Sequence, residues 1–342
     1  MKQTAEEVIS DLLKDKNMNL MRGDSDEFSF GRIPFNIPAL DNLTGGGIPK
    51  KRMTLLYGPT NVGKSYLASQ VVANAQRQGG TTAWIDTELS WDSKWVTKCG
   101  IDATNVLVAQ PTNGEEAMDT ARELMRAGVD VIVLDSIAGL VPTAVHDEDF
   151  SYNPMAWQAR FVNTSLPRIL PNLKNGTAFI AINQVRSSMG PVALDAMPGG
   201  LAQSLFAHFL LQVRRSGWIK EGTANVGFDM EVRLRKSKVG GENWNSAVVP
   251  FRVEGGIDIV ESYIREGIQN KLDAWREKLD KATDDEEKKK IRNAMDRLKQ
   301  SAVDAGIGWK KKASRGFRKG QQKAEIEKGA KDKLANVPRE LT

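Results

Sequence analysis

The sequence predicts an α/β fold in which helices cover both faces of a mostly parallel twisted sheet with an antiparallel extension. Three observations lead to this prediction. Short, continuously apolar runs alternate with helical patterns along the middle of the chain, as in strands that are buried on both faces. A glycine-rich loop joins the first of these strands to a helix. A later segment, Met230–Arg235, alternates strictly between apolar and polar residues, which is typical of a half-buried antiparallel strand.

Length and composition limit the class of protein. The chain has 342 residues, of which 40% are hydrophobic, enough for one large α/β core with small appendages. The single cysteine, Cys99, excludes a disulfide framework and a multi-cysteine zinc site, and it suits a reducing cytosol. The sequence has no long apolar run and no secretory signal, so we expect a cytoplasmic protein with no membrane partner.

Residues 1–32 are predicted to form an N-terminal helix and a linker that serve oligomerisation. The helix is expected over residues 3–16, and it is too short to be stable alone, so it must dock on another surface. Its apolar side carries Val8, Ile9, Leu12 and Leu13. Further on, Ile37–Pro49 is predicted to be a short helix that glycines interrupt before the first core strand.

The segment from Gly58 to Ser65 matches the pattern G-x-x-x-x-G-K-[S/T] of a phosphate-binding loop. Its glycines let backbone N–H groups and a helix N-terminus point at phosphate oxygens. Lys64 would neutralise the β- and γ-phosphates, and the Ser65 hydroxyl would ligate Mg²⁺. The alternative is a glycine turn that binds nothing. The predicted nucleotide-binding residues of the loop are Gly58, Pro59, Thr60, Asn61, Val62, Gly63, Lys64 and Ser65.

Further apolar runs and helical patterns extend this core, which we place at residues 33–266. Each of the runs is expected to be a strand that is buried on both faces. The predicted strands are Ala83–Asp86, Val106–Ala109, Val131–Asp135 and Ala178–Asn183, with helices near 114–127 and 155–173 and an apolar run at Ala207–Val213.

Polar residues stand at three of these strand ends. Asp135 follows four apolar residues and would bring a carboxylate to the Mg²⁺ site. Glu88 could polarise the water that attacks the γ-phosphate, or could simply be a solvated or helix-capping residue. Gln184 could hydrogen-bond the γ-phosphate. It precedes a long aperiodic stretch that contains glycines and prolines, an arrangement that suits a nucleotide-gated switch.

Residues 267–342 form the predicted C-terminal region, with a helical hairpin at about 268–303 followed by a basic lobe. This region holds 21 Lys/Arg and 13 Asp/Glu, whereas the rest of the chain holds 27 and 30. The excess indicates either a polyanionic partner or solvated surface. The helical spacing rests on Leu272, Trp275 and Leu279 in the first helix and on Ile291, Met295, Leu298 and Ala302 in the second.

Taken together, these motifs resemble those of the RecA-type recombinases over about Ile33 to Asp258. The resemblance implies a RecA-like P-loop NTPase core and a DNA-dependent ATPase that uses ATP and Mg²⁺. It also implies a homo-oligomer that forms a helical filament on single-stranded DNA and pairs it with homologous duplex DNA. The motifs, in the order of the family, are Gly58–Ser65, Ile85–Glu88, Gln110–Gly114, Val133–Ser136, Ile182–Arg186, Lys236–Lys238 and Glu254–Ile257.

The resemblance also implies roles for single residues of the ATP site. Asp92 corresponds to an adenine-contacting aspartate, and Trp95 to a stacking tyrosine whose flat π-face it keeps. Lys236 and Lys238 correspond to lysines that reach across a subunit interface to the ATP of the neighbouring copy. The implied catalytic residues are Glu88, Lys64, Gln184, Lys236 and Lys238, and the implied metal ligands are Ser65 and Asp135.

Two DNA-binding loops follow from the same resemblance, one at about Val145–Met155 and one from Val185 to Gly200. For the duplex-binding residues one difference matters, because Glu231 stands where the family has a cation. The implied contacts to single-stranded DNA are Arg160, Arg186, Met189, Gly199 and Gly200, and those to the incoming duplex are Arg214, Arg215 and Arg233.

Two alternatives share the same core, namely a ring helicase and a regulatory ATPase. The Asn-Gln-Val-Arg segment and the Lys-x-Lys pair disfavour the helicase. The tandem core and the zinc ribbon of some regulatory relatives are absent from the sequence. The short N-terminal helix and the inserted hairpin are also compatible with a viral version, which would act in the cytoplasm of an infected host.

Overall fold

The chain divides into two compact units, Met1–Gly31 and Arg32–Thr342, and each is described by itself. In the first unit, helix α1 (Ala5–Lys14) confirms the predicted N-terminal helix, and none of its residues is buried. Reciprocal hydrogen bonds cap its start, from the Thr4 N–H to Glu7 Oε2 at 2.8 Å and from the Glu7 N–H to Thr4 Oγ1 at 3.3 Å. The computed structural model describes residues 4–14, 20–146, 154–187, 195–241 and 243–304.

The second unit alternates strands and helices. The strands are β1 (Arg32–Ile33), β2 (Ile48–Pro49), β3 (Arg52–Gly58), β4 (Thr82–Asp86), β5 (Val106–Ala109), β6 (Val131–Asp135), β7 (Ala178–Gln184), β8 (Arg186–Ser187), β9 (Asp195–Ala196), β10 (Phe209–Glu221), β11 (Ala224–Ser237), β12 (Ser246–Arg252) and β13 (Gly256–Ile257). The helices are α2 (Pro38–Thr44), α3 (Lys64–Arg77), α4 (Ser93–Lys98), α5 (Gly114–Arg126), α6 (Thr143–His146), α7 (Pro154–Ile169), α8 (Ala202–Phe206), α9 (Ile259–Lys281) and α10 (Asp285–Asp304).

A nine-stranded sheet organises this unit, in the order β13-β12-β11-β10-β3-β7-β6-β4-β5. The strands from β10 to β5 pair in parallel, whereas β10 to β13 pair antiparallel. The predicted fold class, a mostly parallel sheet with an antiparallel extension, is therefore confirmed.

Helices cover both faces of the sheet and make two cores. Helix α3 packs on one face through residues such as Leu67 and Val71. Helices α5 and α7 pack on the other face, where Ala121 and Leu166 belong to the second core. Strands between two helical layers have to be apolar on both sides, which is why their sequences are continuously hydrophobic. No helix in the described part of the chain is long and apolar enough to cross a membrane.

Strand β5 corrects one prediction. We expected it to be buried on both faces, but Leu107 is 61% exposed and Val108 is 39% exposed. The reason is its place in the sheet, because among the described strands β5 pairs with β4 alone and forms the edge. A short apolar run has the same appearance in the sequence whether it becomes an edge or a central strand.

The C-terminal hairpin is present as α9 and α10, but α9 begins at Ile259, earlier than the predicted start. The Asp258 carboxylate caps this start by accepting the Glu261 N–H at 3.0 Å. The predicted apolar spacing packs the two helices together. Residues 268–304 carry ten Lys/Arg and nine Asp/Glu, so the basic excess belongs to the predicted basic lobe. That lobe lies outside the described residues.

A buried ion cluster joins α9 to the antiparallel strands. The Arg265 side chain, 1% exposed, donates Nη1 to Asp229 Oδ1 of β11 at 2.9 Å and also pairs with Glu261. Glu261 accepts in turn from Arg252 of β12 at 3.3 Å. Because ions removed from water are stable only when they are paired, this cluster fixes the hairpin to the sheet.

Candidate nucleotide-binding site

The phosphate loop follows β3, and two of its glycines are required by close packing. A Cβ on Gly58 would lie 2.0 Å from the carbonyl oxygen of Val213 on β10. Gly63 has a φ of 87°, and a Cβ there would lie 2.3 Å from Met230 Cε. The Val213 backbone excludes a side chain at Gly58, and the left-handed φ favours glycine at Gly63, so the loop curls against the sheet and delivers its N–H groups to the start of α3.

Lys64 lies inside this curl and is only 7% exposed. Its Nζ donates to the carbonyl oxygens of Pro59 at 2.6 Å and Gly58 at 3.1 Å. Burial lowers the pKa of the ammonium, while the charges of Asp135 and Glu88 raise it. The loop therefore holds a desolvated cation at its centre, which is suited to an anionic ligand.

The carboxyl ends of the parallel strands bring the acidic residues together. Asp135 ends β6 beside Asp86 of β4, and its Oδ2 accepts the Ser65 hydroxyl at 2.7 Å. Burial raises the pKa of Asp135 to about 6; the Ser65 bond lowers it, the nearby Glu88 and Asp86 charges raise it further, and Lys64 lowers it. This pair of oxygen donors fits Mg²⁺, a hard cation that takes few protein ligands and shares the rest with phosphate and water.

The described side chains do not complete a metal site by themselves. In the described part of the chain, no group of three His, Cys, Asp or Glu side chains could hold a metal. A metal at Ser65 and Asp135 would therefore depend on the phosphates of a nucleotide for its remaining ligands.

Glu88 and Gln184 come together at this edge of the sheet. Gln184 pairs in register with Gly58, and its Nε2 donates to Glu88 Oε1 at 2.9 Å. The Ser136 hydroxyl donates to the same oxygen. The sequence placed both residues at strand ends without indicating that they touch, and the structure shows the contact.

Asp86 is the residue of this site whose role sequence reasoning missed. It is fully buried, and its carboxylate accepts from the Trp91 N–H at 2.9 Å, Gln110 Nε2 at 3.0 Å and the Ser90 hydroxyl at 3.3 Å. These bonds shape the segment that carries Glu88. The sequence contained one indication of this role, because Asp86 stands at the end of a predicted strand within a polar motif.

Beside the phosphate loop lies a cavity of about 680 Å³. Asp92 lies in its wall and caps α4, accepting the N–H groups of Lys94 at 2.8 Å and Trp95 at 3.4 Å. The Trp95 indole is 42% exposed. A flat aromatic surface next to a phosphate loop is suited to a nucleotide base. The cavity is lined by Asn61 to Tyr66, Trp84, Ser90, Trp91, Asp92, Trp95, Val96, Asp135, Arg215, Trp218, Phe228, Phe251 and Val253.

The three arginines that we assigned to duplex DNA do not share one setting. Arg215 lines the cavity, with its guanidinium carbon 4.0 Å from the centre of the Trp218 ring. Arg214 is not among the lining residues. Arg233 forms an ion pair of 3.2 Å with Glu231. The position of Arg215 favours a nucleotide contact that the sequence did not indicate, and the duplex role of all three remains a prediction.

Gly199 and Gly200, predicted DNA contacts, have a structural requirement of their own. Their φ angles are 80° and 71°. A Cβ would lie 2.9 Å from Ile137 Cγ2 at Gly199 and 3.1 Å from Ala159 Cβ at Gly200. These glycines therefore bring the end of the second predicted DNA-binding loop against the turn that follows β6 and against α7.

The other predicted DNA contacts lie mostly at the borders of the described segments. Arg160 is exposed on α7, with its guanidinium carbon 5.4 Å from the centre of the Trp157 ring. Arg186 belongs to β8. Met189 and residues 147–153, the centre of the first predicted loop, lie outside the described residues.

Lys236 and Lys238 lie at the opposite end of the sheet from the phosphate loop. Lys236 Nζ donates to the carbonyl oxygens of Ser204 at 2.7 Å and Leu205 at 3.0 Å, the last turn of α8. No carboxylate among the described residues forms an ion pair with either lysine. Burial, followed by the charge of Lys238, lowers the pKa of Lys236.

His208 shows how positive this end of the sheet is. Burial, and then the charges of Arg52, Lys238 and Lys236, lower its pKa to about 4. The ring Nδ1 accepts the Met53 N–H at 3.3 Å, which requires a neutral imidazole. This cluster of cations suits an anion supplied from outside the chain.

Comparison with known proteins identifies the family. The profile of the RecA N-terminal domain matches residues 3–258. The chain belongs to the RecA family. It is 33% identical over 293 residues to "Protein RecA" of Acholeplasma laidlawii (strain PG-8A), covering 80% of this chain and 88% of that relative.

Two further relatives agree. "Protein RecA" of Acidothermus cellulolyticus is 37% identical over 267 residues, which cover 75% of this chain and 77% of the relative. "Protein RecA" of Aquifex aeolicus is 37% identical over 252 residues, which cover 71% and 73%. The resemblance that the motifs predicted is therefore confirmed.

Proposed function

We propose that this chain is an ATP-dependent DNA recombinase that polymerises on single-stranded DNA, pairs it with homologous duplex, and hydrolyses ATP between neighbouring copies. Membership of the RecA family supports DNA strand exchange and DNA-dependent ATPase activity. The observation that carries the mechanism is the 2.9 Å hydrogen bond from Gln184 to Glu88. It joins the proposed catalytic carboxylate to the start of the second DNA-binding loop.

The phosphate loop would bind the β- and γ-phosphates with its N–H groups and with Lys64. The ammonium would exchange the Gly58 and Pro59 carbonyl oxygens for phosphate oxygens, which are stronger acceptors. Ser65 and Asp135 would hold Mg²⁺. That ion would neutralise charge that develops on the phosphates during transfer.

Glu88 would accept a hydrogen bond from the attacking water and align it with the γ-phosphate. The Ser136 hydroxyl orients this carboxylate. A γ-phosphate would compete for the amide proton that Gln184 now donates to Glu88. Nucleotide binding would then free a carboxylate oxygen of Glu88 for water and turn Gln184 toward the phosphate. The same change of hydrogen-bond partner would therefore prepare catalysis and signal that ATP is bound.

Lys236 and Lys238 are too far from the phosphate loop of their own chain to act there. Lys236 pairs in register with Leu210, and Leu210 pairs with Leu55 of β3. The distance from Leu55 to Gly58 along β3 is about 10 Å, and β11, which carries Lys236, lies two strands or about 10 Å away from β3. Both lysines would therefore complete the site of an adjacent copy, in the manner of an arginine finger.

The cavity would receive the base and sugar of ATP. Trp95 would stack on the adenine, and Asp92 would accept a hydrogen bond from it. The stack of Arg215 on Trp218 sets a cation at the same wall, where it would contact the nucleotide.

DNA and neighbouring copies complete the proposal. Backbone-tracking contacts to single-stranded DNA would come from the two loops, through cations and close backbone approach. Helix α1 would dock on the neighbouring copy, since it buries none of its residues. The proposed contacts are Arg160, Arg186, Met189, Gly199 and Gly200 for the single strand, and Arg214, Arg215 and Arg233 for the duplex.

The cellular setting follows from the relatives. The three named above are bacterial, which gives the viral alternative no support. We propose the bacterial cytoplasm.

The test compares ATP hydrolysis with and without single-stranded DNA, and oligonucleotide pairing with homologous and heterologous duplex. We expect the rate of hydrolysis to rise at least about tenfold with DNA, and a Glu88→Gln variant to lose at least about 100-fold in turnover. Pairing should require homology. Unwinding that ignores homology would indicate the helicase, and a hydrolysis rate indifferent to DNA would indicate the regulatory ATPase.

A further inference from the structure

Two buried amide side chains, Asn183 and Gln203, form a polar pair inside the core. Both are fully buried, and Asn183 Nδ2 donates to Gln203 Oε1 at 2.6 Å. Buried amides destabilise a fold unless their hydrogen-bonding groups are satisfied. The partners that satisfy this pair therefore show which parts of the chain it holds together.

Those partners belong to the end of the second DNA-binding loop. The Pro198 carbonyl oxygen accepts from Asn183 Nδ2 at 2.8 Å and from Gln203 Nε2 at 2.6 Å. The Gly200 carbonyl oxygen accepts from Gln203 Nε2 at 2.9 Å. The pair thus holds the chain where it re-enters the core after the loop, while β8 and β9 pair at the base of the loop.

On one side the pair is connected to the nucleotide site. The Gln184 N–H donates to Asn183 Oδ1 at 2.8 Å, and the Gln184 side chain donates to Glu88. The next N–H, that of Val185, donates to the Gly58 carbonyl oxygen at 3.1 Å. A shift of the Gln184 backbone, when its side chain turns toward a γ-phosphate, would therefore reach the Asn183 amide that Gln203 contacts.

On the other side the pair is connected to the lysines of the opposite sheet end. Gln203 belongs to α8, and the carbonyl oxygens of Ser204 and Leu205 in the same helix accept from Lys236 Nζ. With only five residues, α8 has no long helical ladder to hold it in place. Besides its packing against α7 and β3, it is held by the hydrogen bonds of the Gln203 amide and of the Lys236 ammonium.

We propose that Gln203 is a positioning residue that couples the nucleotide state sensed at Gln184 to the DNA-binding loop and to Lys236. This inference rests on the proposed function, because it assumes that the loop binds DNA. Gln203 touches none of the catalytic groups. Its effect has to pass through Asn183, the Pro198 and Gly200 carbonyls, and α8.

The test is a Gln203→Met variant, which keeps an unbranched side chain of similar length and removes every amide hydrogen bond. We would measure the affinity for a fluorescent oligo-dT with Mg²⁺-ADP and with a non-hydrolysable ATP analogue. For the wild type we expect the analogue to tighten oligo-dT binding at least about tenfold relative to ADP. For Gln203→Met we expect this ratio to fall to within about twofold of unity, with the ADP-state affinity little changed.

Linkage supplies a check on this ratio, which a purely structural role would not change. The factor by which oligo-dT tightens binding of the analogue, divided by the corresponding factor for ADP, must equal the ratio of oligo-dT affinities in the two nucleotide states, so both must fall together. Gln76→Met is the matched control. The Gln76 amide also bonds to the backbone, at Asp102 O (3.0 Å) and Asn105 O (3.1 Å), but at the far end of α3.

Equal weakening of oligo-dT binding in both nucleotide states, or an unchanged ratio, would overturn the role of Gln203. An absence of nucleotide-dependent DNA binding in the wild type would instead overturn the proposed function. If Gln203→Met does not fold, Gln203→Glu replaces it. The new carboxylate keeps the acceptor for Asn183 and loses the donors when ionised, so coupling must be lost at high pH and regained on protonation.

Discussion

An Asp135→Asn substitution should make the nucleotide-free protein more stable and at the same time remove its Mg²⁺-dependent activity. The Asp135 carboxylate is buried close to two other acids, and this raises its pKa to about 6. Asparagine keeps an oxygen that can accept the Ser65 hydroxyl. It removes the charge that the fold has to desolvate, and with it the charge that would hold Mg²⁺.

The magnitude follows from the shift in pKa. The ordinary value is 3.8 and the folded value is about 6. Each unit corresponds to about 1.4 kcal/mol, so ionised Asp135 costs the fold about 3 kcal/mol at neutral pH. Burying the new amide group offsets part of this free energy. We therefore expect the free energy of unfolding of the variant to exceed that of wild type by about 1–2 kcal/mol at neutral pH.

The difference in stability between Asp135→Asn and wild type should depend on pH. Because the folded pKa of Asp135 is raised, its protonated form favours the folded state below 3.8, and this advantage is lost as the pH rises through about 6. Because the cost of burying the amide is present at every pH, Asp135→Asn should be about 1–2 kcal/mol less stable than wild type at about pH 3, and its relative stability should rise by about 3 kcal/mol to a maximum above about pH 7.

The assay is urea unfolding of both proteins at a series of pH values, with ATP hydrolysis measured alongside. Asp119→Asn is the control, since that carboxylate is exposed on α5 and pairs only with Arg122 at 2.9 Å among the ion pairs of the described residues. It should change stability by less than about 0.5 kcal/mol. The reasoning is refuted if Asp135→Asn is less stable than wild type at pH 8, or if the difference does not change with pH.

Three further predictions test the proposed site and its support. A one-to-one mixture of Lys64→Ala and Lys236→Ala proteins should recover up to about a quarter of the wild-type hydrolysis rate, because about one interface in four joins two intact halves; no recovery would argue against sites shared between copies. Arg215→Ala should raise the KM for ATP about three- to tenfold, as expected for loss of one contact to a charged ligand, with Arg214→Ala as the matched control near the wild-type value. Arg265→Ala should cost about 3–5 kcal/mol in urea unfolding, because two buried carboxylates lose their common partner; a loss below about 1 kcal/mol would show that water replaces the guanidinium.

The fold was predictable because burial on both faces of a parallel sheet has a clear signature in the sequence. The apolar runs of β4, β6 and β7 and the strict alternation in β11 each indicated the correct kind of strand. The position of a strand within the sheet has no such signature in the sequence. We therefore expected β5 to be buried on both faces, whereas it is an edge strand. The start of α9 was placed too late because its first turns bury polar residues such as Ser262 and Arg265, which a search for apolar spacing passes over.

The site divides in the same way. The location of the phosphate loop, Asp135 and Gln184 at one edge of the sheet could be predicted, since a local motif or the end of a strand marks each of them. The relation of Asn183 to Gln203 could not, because it depends on where a long loop re-enters the core. The place of Arg215 in the cavity wall could not be predicted either, because no local motif marks it, and its assignment to duplex DNA stays a prediction.

The separation of the phosphate loop from Lys236 and Lys238 gives each copy a direction. If, as we propose, the nucleotide binds at one end of the sheet and is completed by lysines from the other end of a neighbouring copy, the copies join head to tail. In an open row, the copy at one end always lacks a donor of lysines. In a short filament a larger fraction of the ATP sites is therefore incomplete than in a long one. The rate of hydrolysis per molecule should increase with filament length and reach a plateau.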